Sequence, residues 1–300
     1  MTSEPESVCA LGAELGEGPV WSAADQALWF VDIKKPSIHR FDPAAGALRS
    51  WTAPEPVGWV LPAAGGGFVV GLKSGLHAFD PATGAFDPIA RIEPDRPQNR
   101  LNDAATDPKG RIWFGTMDDS EKEASGEYYC FDRSVVRPIG LPRLRITNGP
   151  ALSPDGRILY TVDTIGQRIH ASAIGDDGAI GETREFVRLA PGEGYPDGPT
   201  VDSEGCVWIA LFSGWAARRY SPAGELLETV RFPVSNVTKL AFGGDDLRTV
   251  YATTARLHLK PDALERQPEA GNLFAFRADV AGVPVTPVAR ARYDETCGSG

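Results

Sequence analysis

One unit recurs along this chain: a short apolar run, a turn built from Gly, Pro and Asp, and a second apolar run that often carries Trp. Its clearest copy spans 105–115, with Asp107-Pro108-Lys109-Gly110 between the two runs and Trp113 in the second. Further copies lie at 152–162 and 201–210, and weaker ones at 20–31, 61–71 and 240–253. The turns are spaced by roughly 41–49 residues, the period of a four-stranded propeller blade. A second kind of turn falls between them. It reads Phe41-Asp42-Pro43-Ala44-Ala45-Gly46, Phe79-Asp80-Pro81-Ala82-Thr83-Gly84 and, shortened, Tyr220-Ser221-Pro222-Ala223-Gly224. Pro presets φ and Gly accepts positive φ, so each phrase is a hairpin tip. Two hairpins per unit make four strands. Six such units predict an all-β, six-bladed β-propeller with four antiparallel strands per blade. No stretch of helical period and no linker interrupts the pattern, so 1–300 reads as a single domain with 294–300 a flexible tail.

Three phrases share a place in this repeat: Glu17-Gly18-Pro19, Asn148-Gly149-Pro150 and Asp197-Gly198-Pro199. Behind Asn148 and Asp197 a turn follows at the same distance, and behind Glu17 it comes one residue late. Equivalent positions around an axis face a common centre. Two carboxylates and an amide oxygen meeting there describe a site for a divalent cation of hard or borderline character. With three protein ligands the coordination stays open, as a catalytic metal requires. The oxygen donors suit Ca²⁺, Mg²⁺, Mn²⁺ or Fe²⁺, whereas Zn²⁺ usually takes nitrogen or sulfur. Asn102 holds the same place ahead of the 107–110 turn, and the remaining units offer Asn236 and the Gly58-Trp59 pair. Gly permits close backbone approach and Pro tolerates a strand start, so the phrases are expected just ahead of the innermost strands, at the channel mouth. Taken singly, each such Asx reads equally well as a loop former making local hydrogen bonds. It is the register of three that points to a metal.

The rest of the chain narrows the class. A net charge of −10 argues against nucleic-acid or anionic-membrane partners. The N-terminus carries no apolar signal core, and no run reaches membrane-spanning length. Cys9, Cys130, Cys206 and Cys297 are scattered, which predicts free thiols in a cytoplasmic protein, with Cys206 in the core. His39, His77, His170 and His258 lie far apart and outside the aligned position. The motifs of zincins, α/β-hydrolases and phosphate loops are missing, and Gly65-Gly66-Gly67 is a hairpin turn. The 254–270 connection is long and charged, a lid or a plain loop.

With these residues in view, the chain resembles the regucalcin/gluconolactonase-like sugar lactonases, pentonolactonases such as xylonolactonase included. The likeness rests on Gly16-Glu17-Gly18-Pro19-Val20-Trp21, Arg100-Leu101-Asn102-Asp103, Gly115-Thr116-Met117, the run from Asn148 to Gly156, Pro196-Asp197-Gly198-Pro199 and Gly271-Asn272-Leu273-Phe274. The resemblance implies one divalent metal on Glu17, Asn148 and Asp197, with Fe²⁺ or Ca²⁺ ahead of Zn²⁺ and Mn²⁺. It also implies substrate contacts from Arg100 and Asn102, and Asp197 as general base. The partner would be a small sugar lactone, xylono- or another pentonolactone or gluconolactone, opened by a monomer. Family members carry a substrate-contacting Glu a few residues after Gly-Thr-Met, where counting in register finds Ser120. A metal-binding regulator and a paraoxonase-like ester or phosphotriester hydrolase are the alternatives on the same fold. The bland reading of Arg100 is a surface salt bridge.

Overall fold

The computed structural model describes residues 2–289; the expected tail at 294–300, Cys297 included, lies outside the described residues. The chain is all-β, and the helix Pro261–Arg266 is the single α-helix among the described residues. Its strands form four four-stranded antiparallel sheets and one eight-stranded sheet. In the eight-stranded sheet two four-stranded halves meet through one parallel bridge, Gly198 with Lys239. One of those halves is completed by the N-terminal strand Glu6–Cys9, which pairs with Leu273–Arg277 near the other end of the chain. The first strands of successive sheets touch in order: Gly16–Ser22, Val57–Pro62, Asn99–Thr106, Thr147–Leu152, Tyr195–Val201 and Val237–Gly243. The last of these returns to the first. Such closure leaves no long open edge.

Local chemistry makes the hairpins. Asp107 accepts hydrogen bonds from the Lys109 and Arg111 N–H groups and from Trp113 Nε1. Asp202 does the same for Glu204, Cys206 and Trp208 Nε1. One carboxylate therefore closes the turn and pins the indole of the returning strand. Trp29, Trp113 and Trp208 are each fully buried; Trp29 and Trp59 share one core cluster, Trp113 packs with Leu159 of the next sheet, and Trp208 packs between the two halves of the eight-stranded sheet. Cys206 is buried as expected, and Cys9, Cys130 and Cys206 are free thiols.

The Gly-Pro phrases are placed differently from expectation. They lie inside the first strands rather than ahead of them, each at a break in pairing register: between Glu17 and Val20, Asn148 and Ala151, and Pro196 and Pro199. The other three first strands break register at the same level. Pro has no N–H to give a ladder, and Gly149, at φ +74°, takes a backbone conformation that bulges use. A bulge re-aims the side chain before it, and so turns Glu17, Asn148 and Asp197 toward the axis.

Candidate functional site

Glu17, Asn148 and Asp197 line one cavity of about 230 Å³, together with Arg100 and Asn102. All five are buried. Glu17 Oε2 accepts from the Gly18 N–H at 2.8 Å. The Asn148 amide is held from both sides: its Nδ2 donates to Thr164 Oγ1 at 2.9 Å, and its Oδ1 accepts from Asn102 Nδ2 at 2.7 Å. Its carbonyl oxygen keeps a second lone pair free. Asp197 Oδ1 is buried and has no hydrogen-bond partner.

Electrostatics follow from that burial. Desolvation pushes the Glu17 carboxyl up, to about 8, and the charge of Asp103 adds to it. Asp197 is likewise raised well above the ordinary carboxylate range, by burial first and then by the charges of Glu17 and Asp103. Lys239 opposes both shifts. Its ammonium is buried and pairs with Asp103, whose other oxygen accepts the Gly149 N–H at 3.0 Å. Gly198 makes room for this lysine, since a Cβ there would come within 2.5 Å of its Cγ. Once ionised, the Glu17, Asp103 and Asp197 carboxylates carry two negative charges more than the Lys239 ammonium offsets, since the Arg100 guanidinium is balanced by Asp119. A dication matches that deficit, and the unpartnered Asp197 oxygen supplies a donor for it. The residues present fit a divalent metal.

Arg100 is not a surface residue: its Nε donates to Asp119 Oδ1 at 2.7 Å and its Nη1 to Asn102 Oδ1 at 2.6 Å. Asn236 and Trp59 do not join the site. The Asn236 amide binds the Ser213 N–H and the Leu257 carbonyl, so local loop bonding claims it. Trp59 faces a separate cavity at the other end of the axial channel, which residues 283–286 help to line. The position after Gly-Thr-Met needs a correction too. Asp118 captures the Ser120 hydroxyl and N–H, together with the N–H groups of Lys122 and Glu123. Ser120 is thereby turned aside, and Glu121, at φ +60°, lines the cavity in its stead. Two further residues went unread in the sequence. Thr164 carries no signal in the sequence, and His258, although outside the aligned position, lines the cavity 3.2 Å from Glu121. His258 and Leu257 are what the 254–270 connection contributes.

The profile of the SMP-30/gluconolactonase/LRE-like region matches residues 15–256. This chain belongs to that family. It is 35% identical over 270 residues to a 6-deoxy-6-sulfogluconolactonase of Pseudomonas putida, covering 89% of this chain and 92% of the relative. It is 33% identical over 288 residues to the regucalcin of Oryctolagus cuniculus, covering 93% and 96%. Among solved structures, a calcium-binding regucalcin of Agrobacterium tumefaciens superposes with a TM-score of 0.91 at 27% identity, over 96% of this chain and 97% of that one. The fold is the β-propeller of these regucalcin-like neighbours.

Proposed function

We propose that this chain, as a six-bladed propeller, hydrolyses the ring ester of a sugar lactone to the aldonic acid, with one divalent cation held by Glu17, Asn148 and Asp197. The observation that carries the reading is the meeting of two buried carboxylates and a locked amide in one cavity, where burial opposes ionisation unless a cation compensates it. Kinship with a sulfogluconolactonase supports the lactone. The all-oxygen donor set favours Ca²⁺, Fe²⁺ or Mn²⁺ over Zn²⁺. When bound, the dication supplies charge compensation and Lewis acidity toward the ester carbonyl.

The residues divide the remaining work. Asp197 would hold the cation through its unpartnered Oδ1 and take the proton of the attacking water on its second carboxylate oxygen. The water oxygen bonds to the carbonyl carbon, the ring C–O bond breaks, and the departing alkoxide receives the proton. Arg100 and Asn102 are locked together on the cavity wall; Asn102 Nδ2 is spent on the Thr147 carbonyl and Asn148 Oδ1, so Arg100 Nη2 is the donor and Asn102 Oδ1 the acceptor offered to sugar hydroxyls. Glu121 lines the same cavity and offers its carboxylate to sugar hydroxyls. A pentonolactone, xylono- among them, or gluconolactone carries the hydroxyls this wall would bind. Every group in the scheme lies on one chain, so a monomer suffices.

The test is a proton-release assay on pentono- and gluconolactones, run on protein stripped by chelator and then reloaded metal by metal. Opening should stop on stripping and return on reloading. Stripped protein that still opens lactones at the loaded rate would refute the metal's part, and loaded protein inert toward every sugar lactone would refute the substrate class.

A further inference from the structure

The strand period of two organises the cavity in tiers. Two residues ahead of Glu17, Asn148 and Asp197 stand Leu15, Ile146 and Tyr195, and all three line the same cavity. Exposure rises outward along the strand that carries Asp197, from 5% at Asp197 to 42% at Tyr195. Ile165, also 42% exposed, adds to this rim, as do Phe212 and Leu257. Tyr195 and Ile165 are the open members of this tier and Leu15 backs it from the core; two large side chains left open side by side at the mouth of a polar site mark a binding surface. A fully hydroxylated substrate would find few partners on this surface, where the Tyr195 phenol is the one polar group of the outer tier. The cationic groups of the cavity already face carboxylates: Arg100, on the inner wall, is paired with Asp119, and His258 lies beside Glu121.

We propose that the outer tier formed by Leu15, Ile146, Tyr195 and Ile165 selects lactones whose exocyclic end is alkyl, a methyl group or longer, over those ending in hydroxymethyl or an anionic group. The inference rests on the lactonase reading and narrows its substrate class. The inner tier then holds the ring and its hydroxyls, and the apolar end packs at the mouth. An anionic end would meet the Glu121 carboxylate there with no uncommitted cation among the described lining residues.

The experiment compares kcat/KM for a 5-deoxypentono-1,4-lactone and the parent pentono-1,4-lactone of the same ring configuration, on the metal-loaded full chain. The deoxy compound should be favoured about tenfold, the scale of one small apolar group in an apolar site. Tyr195→Ser and Ile165→Ser, both at exposed positions, should bring that ratio toward one by slowing the deoxy compound more than its parent. A lactone ending in sulfomethyl should be opened more slowly than either. Equal rates in the wild type, a ratio untouched by both substitutions, or preference for the sulfomethyl end would overturn the apolar tier while leaving lactone hydrolysis standing. No turnover on any lactone would overturn both readings.

Discussion

Asp197 is where the chemistry of this chain concentrates. Asp197→Asn keeps the shape and a metal-binding oxygen but removes the proton acceptor. Turnover should fall by about 10²–10⁴-fold, the usual contribution of a positioned base, with an unchanged circular dichroism spectrum. A metal-loaded variant at the wild-type rate would remove Asp197 from the base role. Glu17 gives a second prediction, through linkage. Its folded carboxyl titrates at about 8, against 4.5 for the free side chain. Between those values the native state binds more protons than the unfolded one, so stability falls as pH rises. Chelated protein should therefore melt lower at about pH 7.5 than at about pH 5, and a dication, by favouring the ionised carboxylates, should shrink the gap. A chelated protein equally stable at both would mean that these carboxylates ionise without help. At this scale the sequence was legible where the repeat imposed register, at Glu17, Asn148 and Asp197. It misled at Ser120, because counting cannot foresee that Asp118 would gather four donor groups and present Glu121 instead.

Among the elements, the hairpins were the most readable, because a Pro-Gly turn declares itself within four residues. Their stability comes from the carboxylate that closes them. Asp202 is fully buried and holds two backbone N–H groups, the Trp208 indole and Arg219 Nε, the last at 2.7 Å. Asp202→Ala would leave the two N–H groups and the indole unpaired and the Arg219 guanidinium with only the exposed Glu204 as partner. It should cost about 3 kcal/mol or more, read as a lower urea midpoint at unchanged slope. A loss below about 1 kcal/mol would show that water or Glu204 replaces the carboxylate. The strands begin four to six residues earlier than expected, at Gly16, Thr147 and Tyr195 rather than at 20, 152 and 201. Gly-Pro looks like a boundary in sequence, yet it sits inside the strand because a bulge uses the missing N–H and the positive φ that a boundary would also use.

At the scale of the molecule, the ring is tied across its axis. Lys239 and Asp103, 136 residues apart, pair in the interior and join the strands Asn99–Thr106 and Val237–Gly243. Lys239→Met should destabilise the protein by about 3–5 kcal/mol, since it strands a buried carboxylate. Adding Asp103→Asn should recover part of that loss, which denaturant unfolding of the double mutant would measure. Additive losses would mean that the two groups do not act as a pair.

By itself the sequence determined the repeat, its hairpin tips and the equivalence of Glu17, Asn148 and Asp197, because turn chemistry and strand period act over a few residues. Tertiary structure alone decided that these side chains meet in one cavity, that Glu6–Cys9 closes onto Leu273–Arg277, and that Lys239 neutralises Asp103. Each of those depends on the summed rotation from sheet to sheet around a closed ring. No short window of residues carries that sum; it is set only when the last sheet packs against the first.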